Sequence, residues 1–344
     1  LPIIDANFYE LLWSLTSNER FSLDWIKKEN VKKIKEIKKL IITLDDKYRE
    51  DNFFVLNAFL QKMHSEKNLD EILYLLKLSP KNPLIVINAY YEWVRLYKEL
   101  LIYDNEHFQQ ALLFMKNKDK DVSYIVDYTY AVSTIDYSFI ELLNKKFGID
   151  YFLRYSKDLL TNFILTATKA SEEINKRNLA VIILNKGDFN GSFYRVKRAL
   201  DELIKHYRVL IYEVMNEHDF YKKIEEAYKE YGKIHALIIG GHGSEKSIDL
   251  SLNEKEEEKI DVSDKDELAR LKNFFDENAV AVLLSCRTGN YENNIATLLA
   301  KKLNIKVYAP IGSANAMEVK LIVDEKKGLT DVKFDVERVI IDPK

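Results

Sequence analysis

Residues 208–241 read RVLIYEVMNEHDFYKKIEEAYKEYGKIHALIIGG, two short apolar runs on either side of an amphipathic stretch. The runs RVLIYEV (208–214) and HALIIGG (235–241) are rich in β-branched residues, which is typical of buried strands. DFYKKIEEAYKEYG (219–232) repeats its apolar residues every three or four positions, which indicates a helix. Strands that are apolar on both faces and joined by a helix predict a parallel sheet covered on both sides.

The same alternation continues in both directions from this unit. Strands are predicted at AVIILN (180–185), AVAVLLS (279–285) and KVYAP (306–310), and helices at 192–207 and 293–304. The tail from Met317 alternates like two late strands joined by DEKKG (324–328). We therefore expect an α/β domain with a mostly parallel sheet and helices on both faces.

An insertion between the strand ending near 241 and the next helix has a different composition. IDLSL (248–252) alternates like an exposed strand, and NEKEEEKID (253–261) is typical of a solvated hairpin tip, with a cation site or partner dock as the alternative. Ser263 is predicted to N-cap the following helix, with Asp266 at the third helical position as in a capping box.

The first half of the chain has a purely helical period. Apolar residues recur at three and four in EILYLLKL (71–78), YYEWVRLYKELLIY (90–103) and YFLRYSKDLLTNFIL (151–165), and loops are expected at 79–83, 116–121 and 146–150. No fixed-period repeat is evident. We predict two domains, an all-α domain over 1–175 and the α/β domain over 176–344.

The composition of the chain argues against nucleic-acid binding, a membrane span and an internal disulfide. The net charge is −3 and the pI is about 6.2, so no positive field favours nucleic acid. No apolar run approaches the ~20 residues needed to span a bilayer. The single cysteine cannot form an internal disulfide, which agrees with a cytoplasmic location. The chain starts at Leu1 rather than Met, so we expect it to be a trimmed or processed form.

Two reactive side chains follow predicted strands. His242 comes directly after HALIIGG, and Cys286 comes directly after AVAVLLS. Loops at the carboxyl ends of parallel strands form the ligand crevice of open α/β sheets. If the two strands are neighbours, the imidazole and the thiol share one cleft.

These residue types suit nucleophilic catalysis. The thiolate is the reactive form of cysteine, and histidine can exchange a proton at neutral pH. Glycines at 240, 241 and 243 would let the chain turn and leave room for a substrate, and the amides of Gly243 and Cys286 could face an oxyanion. The structural alternative is that Cys286 is a small buried apolar residue and His242 a turn residue.

GGHGS (240–244) followed about forty residues later by LLSCRTG (283–289) resembles the caspase-like cysteine peptidases, and bacterial CHAT-type proteases most closely. The resemblance covers roughly 178–320 and none of the helical half. It implies that Cys286 is the nucleophile, that His242 is the base, and that the amides of Gly243 and Cys286 form the oxyanion hole. It also implies acyl transfer through a thioester.

The resemblance further implies where the substrate pocket lies. Its walls would come from the loop after the first strand, the residue two before the nucleophile, and the strand after the nucleophile's helix. These positions are Asp188, Asn190, Leu284, Tyr308, Ala309 and Pro310. The last three would also offer an edge to an extended substrate. Metacaspases carry Asp and caspases Gln where this chain has Leu284, which favours a neutral P1 residue, whereas Asp188 would favour a basic one.

The leading hypothesis is a cysteine endopeptidase that acts on proteins or peptides without a cofactor or metal. By analogy with CHAT relatives, the helical domain would regulate activity or bind a partner or activator. A catalytically silent interaction module on the same scaffold is the alternative. A nucleotide-binding domain is disfavoured because no Gly-rich phosphate motif follows the first strand.

Overall fold

The structure is a computed structural model. It describes residues 124–187, 193, 196–251 and 258–343, together with the isolated positions 32, 33, 36, 110 and 111. The chain divides into two compact units, Leu1–Tyr130 and Ala131–Lys344. The described architecture belongs almost entirely to the second unit. The predicted helices at 71–78 and 90–103, the loops at 79–83 and 116–121, and most of the hairpin tip at 253–261 lie outside the described residues.

The helices of the described ranges begin ahead of the sheet and then alternate with its strands. They are α1 Ile125–Thr134, α2 Tyr137–Phe147, α3 Lys157–Thr168, α4 Glu172–Asn175, α5 Lys197–Asp201, α6 Glu217–Tyr231, α7 Lys265–Leu271 and α8 Ile295–Leu303. Single 3₁₀ turns lie at Phe152–Arg154, Leu203–Lys205 and Lys272–Phe274.

The strands form one large sheet and two small ones. They are β1 Asn178–Asn185, β2 Tyr207–Val214, β3 Ile234–Gly240, β4 His242–Gly243, β5 Ser247–Asp249, β6 Lys259–Asp261, β7 Phe275–Leu284, β8 Lys306–Pro310, β9 Lys320–Asp324, β10 Gly328–Lys333 and β11 Arg338–Ile341. All five core strands predicted from the sequence are present.

The large sheet has six strands in the order β11-β8-β7-β3-β1-β2. Neighbouring strands from β2 to β8 are parallel, and β11 is antiparallel to β8. The prediction of a mostly parallel sheet in an α/β domain is therefore confirmed. The joining of β11 to this sheet was not expected, because RVII (338–341) is short and only its pairing with β8 distinguishes it from a loop.

The strand order places helices on both faces of the sheet. From β1 the chain moves to β2 at one edge of the sheet and then in the opposite direction to β3, β7 and β8. Right-handed crossovers therefore put the helices of these two directions on opposite faces. Packing agrees, because α6, α7 and α8 contact one another in series while α5 contacts α3 and β9. The change of direction lies between β1 and β3, which makes their carboxyl ends the natural ligand crevice.

Continuous apolar sequence explains why these strands are central. Every residue of β1 except Asn178 is buried, and so is every residue of β2 except Arg208. A strand that is buried on both faces needs neighbours on both edges or a cover for its free edge. For β2 that cover is α3, where Asn162 Oδ1 accepts from the Val209 amide at 2.9 Å and Asn162 Nδ2 donates to the Tyr207 carbonyl at 3.3 Å.

The helices α2 and α3 thus belong to the compact unit that holds the sheet. The sequence-based boundary at 175/176 followed the change of hydrophobic period, whereas the division in the structure falls at 130/131. A helical period does not show whether a helix packs on other helices or on a sheet.

A buried polar network ties residues 150–155 to the end of β2. The carboxylate of Glu213 accepts from the Asp150 amide at 2.9 Å and from the Tyr155 hydroxyl at 2.8 Å. The Arg154 guanidinium lies 3.4 Å from Glu213 Oε1 and donates to the Asn185 carbonyl at 2.9 Å. Both charged side chains are fully buried, so the pair joins the ends of β1 and β2 to the preceding helices.

Two local predictions are wrong. Ser263 does not cap α7: its hydroxyl and amide both bond to Asp261 Oδ1, and Asp264 takes the N-cap position. The tight turn at 261–264 uses these side chains itself, since Asp264 Oδ2 accepts from the Asp261 amide at 2.8 Å. The helix predicted over 192–207 is shorter, because α5 ends at Asp201 and a 3₁₀ turn completes it.

The late hairpin is confirmed. Strands β9 and β10 pair antiparallel through the turn at 324–328, where Asp324 Oδ1 accepts from the amides of Lys326 and Lys327 at 2.9 and 2.8 Å. The hairpin is fixed to the sheet domain by the Leu329 amide, which donates to the Tyr207 hydroxyl at 2.7 Å.

Candidate functional site

His242 and Cys286 follow adjacent parallel strands. β3 pairs with β7 in a register that sets Gly240 opposite Leu284. Each of the two reactive residues lies two positions beyond that pair. Residues in register on neighbouring parallel strands point to the same face of the sheet. The two loops therefore leave the sheet side by side, at the carboxyl ends of β3 and β7.

The two loops remain in contact beyond the strands, and Gly243 is the point of contact. A Cβ built on Gly243 would lie 2.9 Å from Ser285 Cβ, 3.0 Å from the Cys286 carbonyl oxygen and 3.2 Å from Thr288 Cγ2. All three distances are shorter than an ordinary van der Waals contact of 3.4–4 Å. Position 243 therefore needs glycine because the loop that carries Cys286 packs against its backbone.

This finding corrects one expectation for the glycines. The space beside Gly240, Gly241 and Gly243 was expected to receive a substrate, but protein atoms occupy it. Leu184 and Phe193 lie against Gly240, and the Asp249 carbonyl lies against Gly241. These glycines allow close packing between protein segments.

His242 is held by the small hairpin that follows β3. His242 pairs with Asp249 and Gly243 with Ile248, so β4 and β5 are antiparallel. The imidazole is half-buried, and its centroid lies 5.8 Å from that of Phe193 in an edge-to-face arrangement. Phe193 also packs on Gly240, so this buried ring supports both the strand end and the imidazole.

Cys286 is half-buried at the start of a loop that precedes α8. Its Sγ lies 3.6 Å from the Ala314 carbonyl oxygen, a distance at which the thiol donates a weak hydrogen bond. The backbone on either side is fixed, because the Thr288 hydroxyl donates to the Ser285 carbonyl and the Arg287 amide donates to the Gly312 carbonyl, both at 2.9 Å.

The loop that follows Cys286 has an unusual backbone. Arg287, Tyr291 and Asn293 all lie in the left-handed region, with φ of 58°, 58° and 59°. This conformation costs about 1–2 kcal/mol for bulky residues such as Arg287 and Tyr291, whereas asparagine adopts it more readily, and such strain is common at functional sites. The strained segment here begins at the residue next to the thiol.

Hydrogen bonds tie this loop to both sides of the candidate site. At one end the Gly289 amide donates to the Pro310 carbonyl at 2.9 Å. At the other end the Ile295 amide donates to the Glu245 carbonyl and Lys246 Nζ donates to the Asn293 carbonyl, both at 2.9 Å. The loop thus runs from the end of β8 to the turn that follows His242.

The structure describes four of the six predicted pocket residues. Leu284 is buried within β7, and Tyr308, Ala309 and Pro310 are buried in β8. The phenol of Tyr308 donates to the Thr330 carbonyl at 3.0 Å. Asp188 and Asn190 lie outside the described residues. A role for these six residues in a substrate pocket stays a prediction.

The expectation that β8 offers a free edge to a substrate is wrong at Tyr308, Ala309 and Pro310. Tyr308 pairs with Val282 of β7 on one side and Ile340 of β11 on the other. Ala309 and Pro310 pair with Val339 and Arg338 of β11. The physical reason is the late strand β11, which the sequence did not reveal.

The sequence also gave no sign of several contributors to the site. Phe193, Gly312 and Ala314 contact the two reactive loops from segments far away along the chain. Their residue types are common and match no motif, so only the tertiary arrangement identifies them.

Features of other classes of site are absent from the part of the chain that the structure describes. Within it, no three or more His, Cys, Asp or Glu side chains gather around a potential metal position. None of its helices combines the length and apolarity that a bilayer crossing needs.

Comparison with known proteins gives one partial match. Residues 210–328 match the model of a family described as a domain of unknown function, DUF8616. The match runs from β2 to the start of β10 and includes both reactive loops. No curated protein matches the chain.

Proposed function

We propose that the chain is a caspase-like cysteine endopeptidase in which Cys286 is the nucleophile and His242 the general base. The observation that carries this proposal is the contact between the two loops at Gly243, where an added Cβ would lie 3.0 Å from the Cys286 carbonyl. Two further observations support it: the loops leave adjacent parallel strands near the change of strand order, and strained backbone follows the thiol.

The chemistry follows from the residue types. The imidazole of His242 takes the thiol proton, and the thiolate attacks the carbonyl carbon of a peptide bond. The resulting oxyanion is stabilised by backbone amides, for which Gly243 and Cys286 are the candidates. His242 then gives its proton to the leaving amine as the C–N bond breaks. Water hydrolyses the thioester, returns a proton to the thiolate and releases the carboxylic acid.

Regulation by the N-terminal part of the chain, which the sequence predicts to be helical, is a second element of the proposal, and it rests on the resemblance to CHAT-type proteases alone. The boundary of the compact units indicates that such a regulatory unit would lie within 1–130, because α2 and α3 pack with the sheet.

Cleavage of a peptide library tests the proposal. We expect the wild-type chain to cleave a subset of peptides, and Cys286→Ala and His242→Ala to lose at least 99% of that activity, because both groups take part in the bond-breaking steps. Asp276→Ala, which changes a charged residue of β7 far from its carboxyl end, is the matched control and should retain activity. Cleavage by Cys286→Ala at the wild-type rate would rule the dyad out.

A silent interaction module is the second candidate, and one observation favours it. The Cys286 thiol lies 3.6 Å from the Ala314 carbonyl oxygen and donates a weak hydrogen bond to it, so its hydrogen-bond partner is a backbone group and not the His242 imidazole. This candidate predicts no peptide cleavage and a Cys286 thiol no more reactive than a model thiol.

A further inference from the structure

Tyr291 has an unusual environment in the loop after Cys286. The residue is 75% exposed, and its backbone is in the left-handed region with φ 58°. Two asparagine side chains hold this conformation: Asn290 Oδ1 accepts from the Tyr291 amide at 3.1 Å, and Asn294 Nδ2 donates to the Tyr291 carbonyl at 2.7 Å. The backbone is thus fixed on both sides while the ring projects into solvent.

The left-handed backbone of Tyr291 is unfavourable in free energy. Burial of the ring does not offset this cost, because the residue is exposed. Left-handed backbone disfavours an aromatic residue, and asparagine or glycine would adopt it more readily. An exposed aromatic ring also leaves apolar surface in water. Strain of this kind is kept where a side chain must be presented in one direction.

The position of the loop indicates what the ring would meet. The loop is anchored at its far end to Glu245 and Lys246, which follow His242 and Gly243 in the chain. In the proposed mechanism the imidazole protonates the leaving amine, so the substrate residues after the scissile bond lie on the His242 side. Along the chain, Tyr291 lies between Cys286 and the residues that form this anchor, Asn293 and Ile295.

We propose that Tyr291 is a specificity-determining residue that binds an apolar or aromatic side chain within the first two substrate residues after the scissile bond. The inference rests on the proposed peptidase function and names the class of substrate. Aromatic rings on a rigid backbone are common anchors in recognition, because they bury a large area with little loss of side-chain entropy.

The test uses pairs of peptides that differ only after the cleaved bond. One member carries Leu or Phe in the first two positions after the bond, and the other carries Ser or Asp. We expect the wild type to prefer the apolar member. Tyr291→Ala should lower kcat/KM for the apolar member by about tenfold, with little effect on the polar member. Tyr291→Phe should retain the preference because it keeps the ring. Tyr137→Ala, at another exposed tyrosine, is the matched control.

A methyl ester of the same peptide tests whether Tyr291 acts only on the residues after the scissile bond. The ester keeps every residue before the scissile bond and replaces those after it by methanol, so Tyr291→Ala should hydrolyse it at the wild-type rate. The rate of Cys286 alkylation by iodoacetamide should also be unchanged, which shows that the thiol and its loop are intact.

The outcomes separate this inference from the function on which it rests. If the wild type cleaves peptides but Tyr291→Ala keeps the full preference for the apolar member, the inference is overturned and the peptidase stands. A loss of ester hydrolysis equal to the loss of peptide cleavage also overturns it, because the ring would then support the loop. If the wild type cleaves no peptide and no ester, the function fails and the inference fails with it.

Discussion

Gly243 shows how one residue without a side chain joins the two reactive loops. The loop carrying Cys286 lies so close that a methyl group at 243 would come within 2.9 Å of Ser285 Cβ and 3.0 Å of the Cys286 carbonyl. The Cys286 carbonyl belongs to the backbone, and Ser285 Cβ is bonded directly to it. Rotation of a side chain therefore cannot make room for the added methyl group. The distance between the loops therefore depends on glycine at this position.

We predict that Gly243→Ala lowers the free energy of unfolding by about 1–3 kcal/mol, because the added methyl group forces the loops apart. It should also lower peptide cleavage at least tenfold through misalignment of His242 and Cys286. Gly312→Ala is the matched control: its Cβ would meet Val336 at an ordinary 3.5 Å, although Gly312 also bonds to the Cys286 loop. Urea unfolding and peptide cleavage measure both effects. Equal values for the two variants would contradict the packing argument.

At the residue scale the sequence indicated the positions of His242 and Cys286 but gave the wrong reason for the glycines. A strand followed by a reactive side chain is a local pattern, and it is visible in ten residues. The tight contact at Gly243 depends on Ser285 and Thr288. No local pattern predicts that these residues meet the glycine.

Strands and helices account for the approach of the two loops. β3 and β7 are neighbours within the sheet, and the residues of both are buried at the ends that lead into the two loops. The hydrophobic pattern predicted all five parallel strands. It could not predict β11, whose residues are only partly buried, or the true cap of α7, which depends on competing bonds between Asp261, Ser263 and Asp264.

The buried pair of Arg154 and Glu213 is a polar link between the segment 150–155 and the sheet. Burial raises the pKa of Glu213, while the charge of Arg154 and the Asp150 amide act in the opposite direction. Because the folded pKa of this acid is raised, the folded state binds more protons than the unfolded state between the two pKa values. The contribution of Glu213 to stability is therefore largest below its ordinary pKa of 4.5 and falls as pH rises through the folded value.

Arg154→Met should lower the free energy of unfolding by about 3–5 kcal/mol at pH 7, because it leaves the Glu213 carboxylate buried without its cation. The loss should be smaller at pH 4, where Glu213 can take up a proton. The double variant Arg154→Met/Glu213→Gln should recover much of the stability at pH 7. Urea unfolding at the two pH values measures these changes. A loss that is the same at pH 4 and pH 7 would show that packing of the Arg154 side chain, rather than charge, decides the effect.

At the scale of the whole molecule, strand order determines where a ligand crevice can form. The order β2-β1-β3-β7-β8 reverses direction between β1 and β3. Asn185 ends β1 and His242 follows β3 at this reversal, and Cys286 follows the next strand, β7. Alternating strands and helices predicted the class of fold. They did not predict the division of the chain, because α2 and α3 have an ordinary helical period yet pack with the sheet.

The central claim is that the imidazole of His242 activates the Cys286 thiol. The chain has one cysteine, so alkylation by iodoacetamide reports on Cys286 alone. The most direct test is the rate of this reaction at pH 7 for the native protein, the urea-unfolded protein and native His242→Ala. We predict that the native protein reacts at least ten times faster than the unfolded protein, and that His242→Ala removes this difference. A native rate no greater than the unfolded rate, or a full native rate in His242→Ala, would contradict the claim.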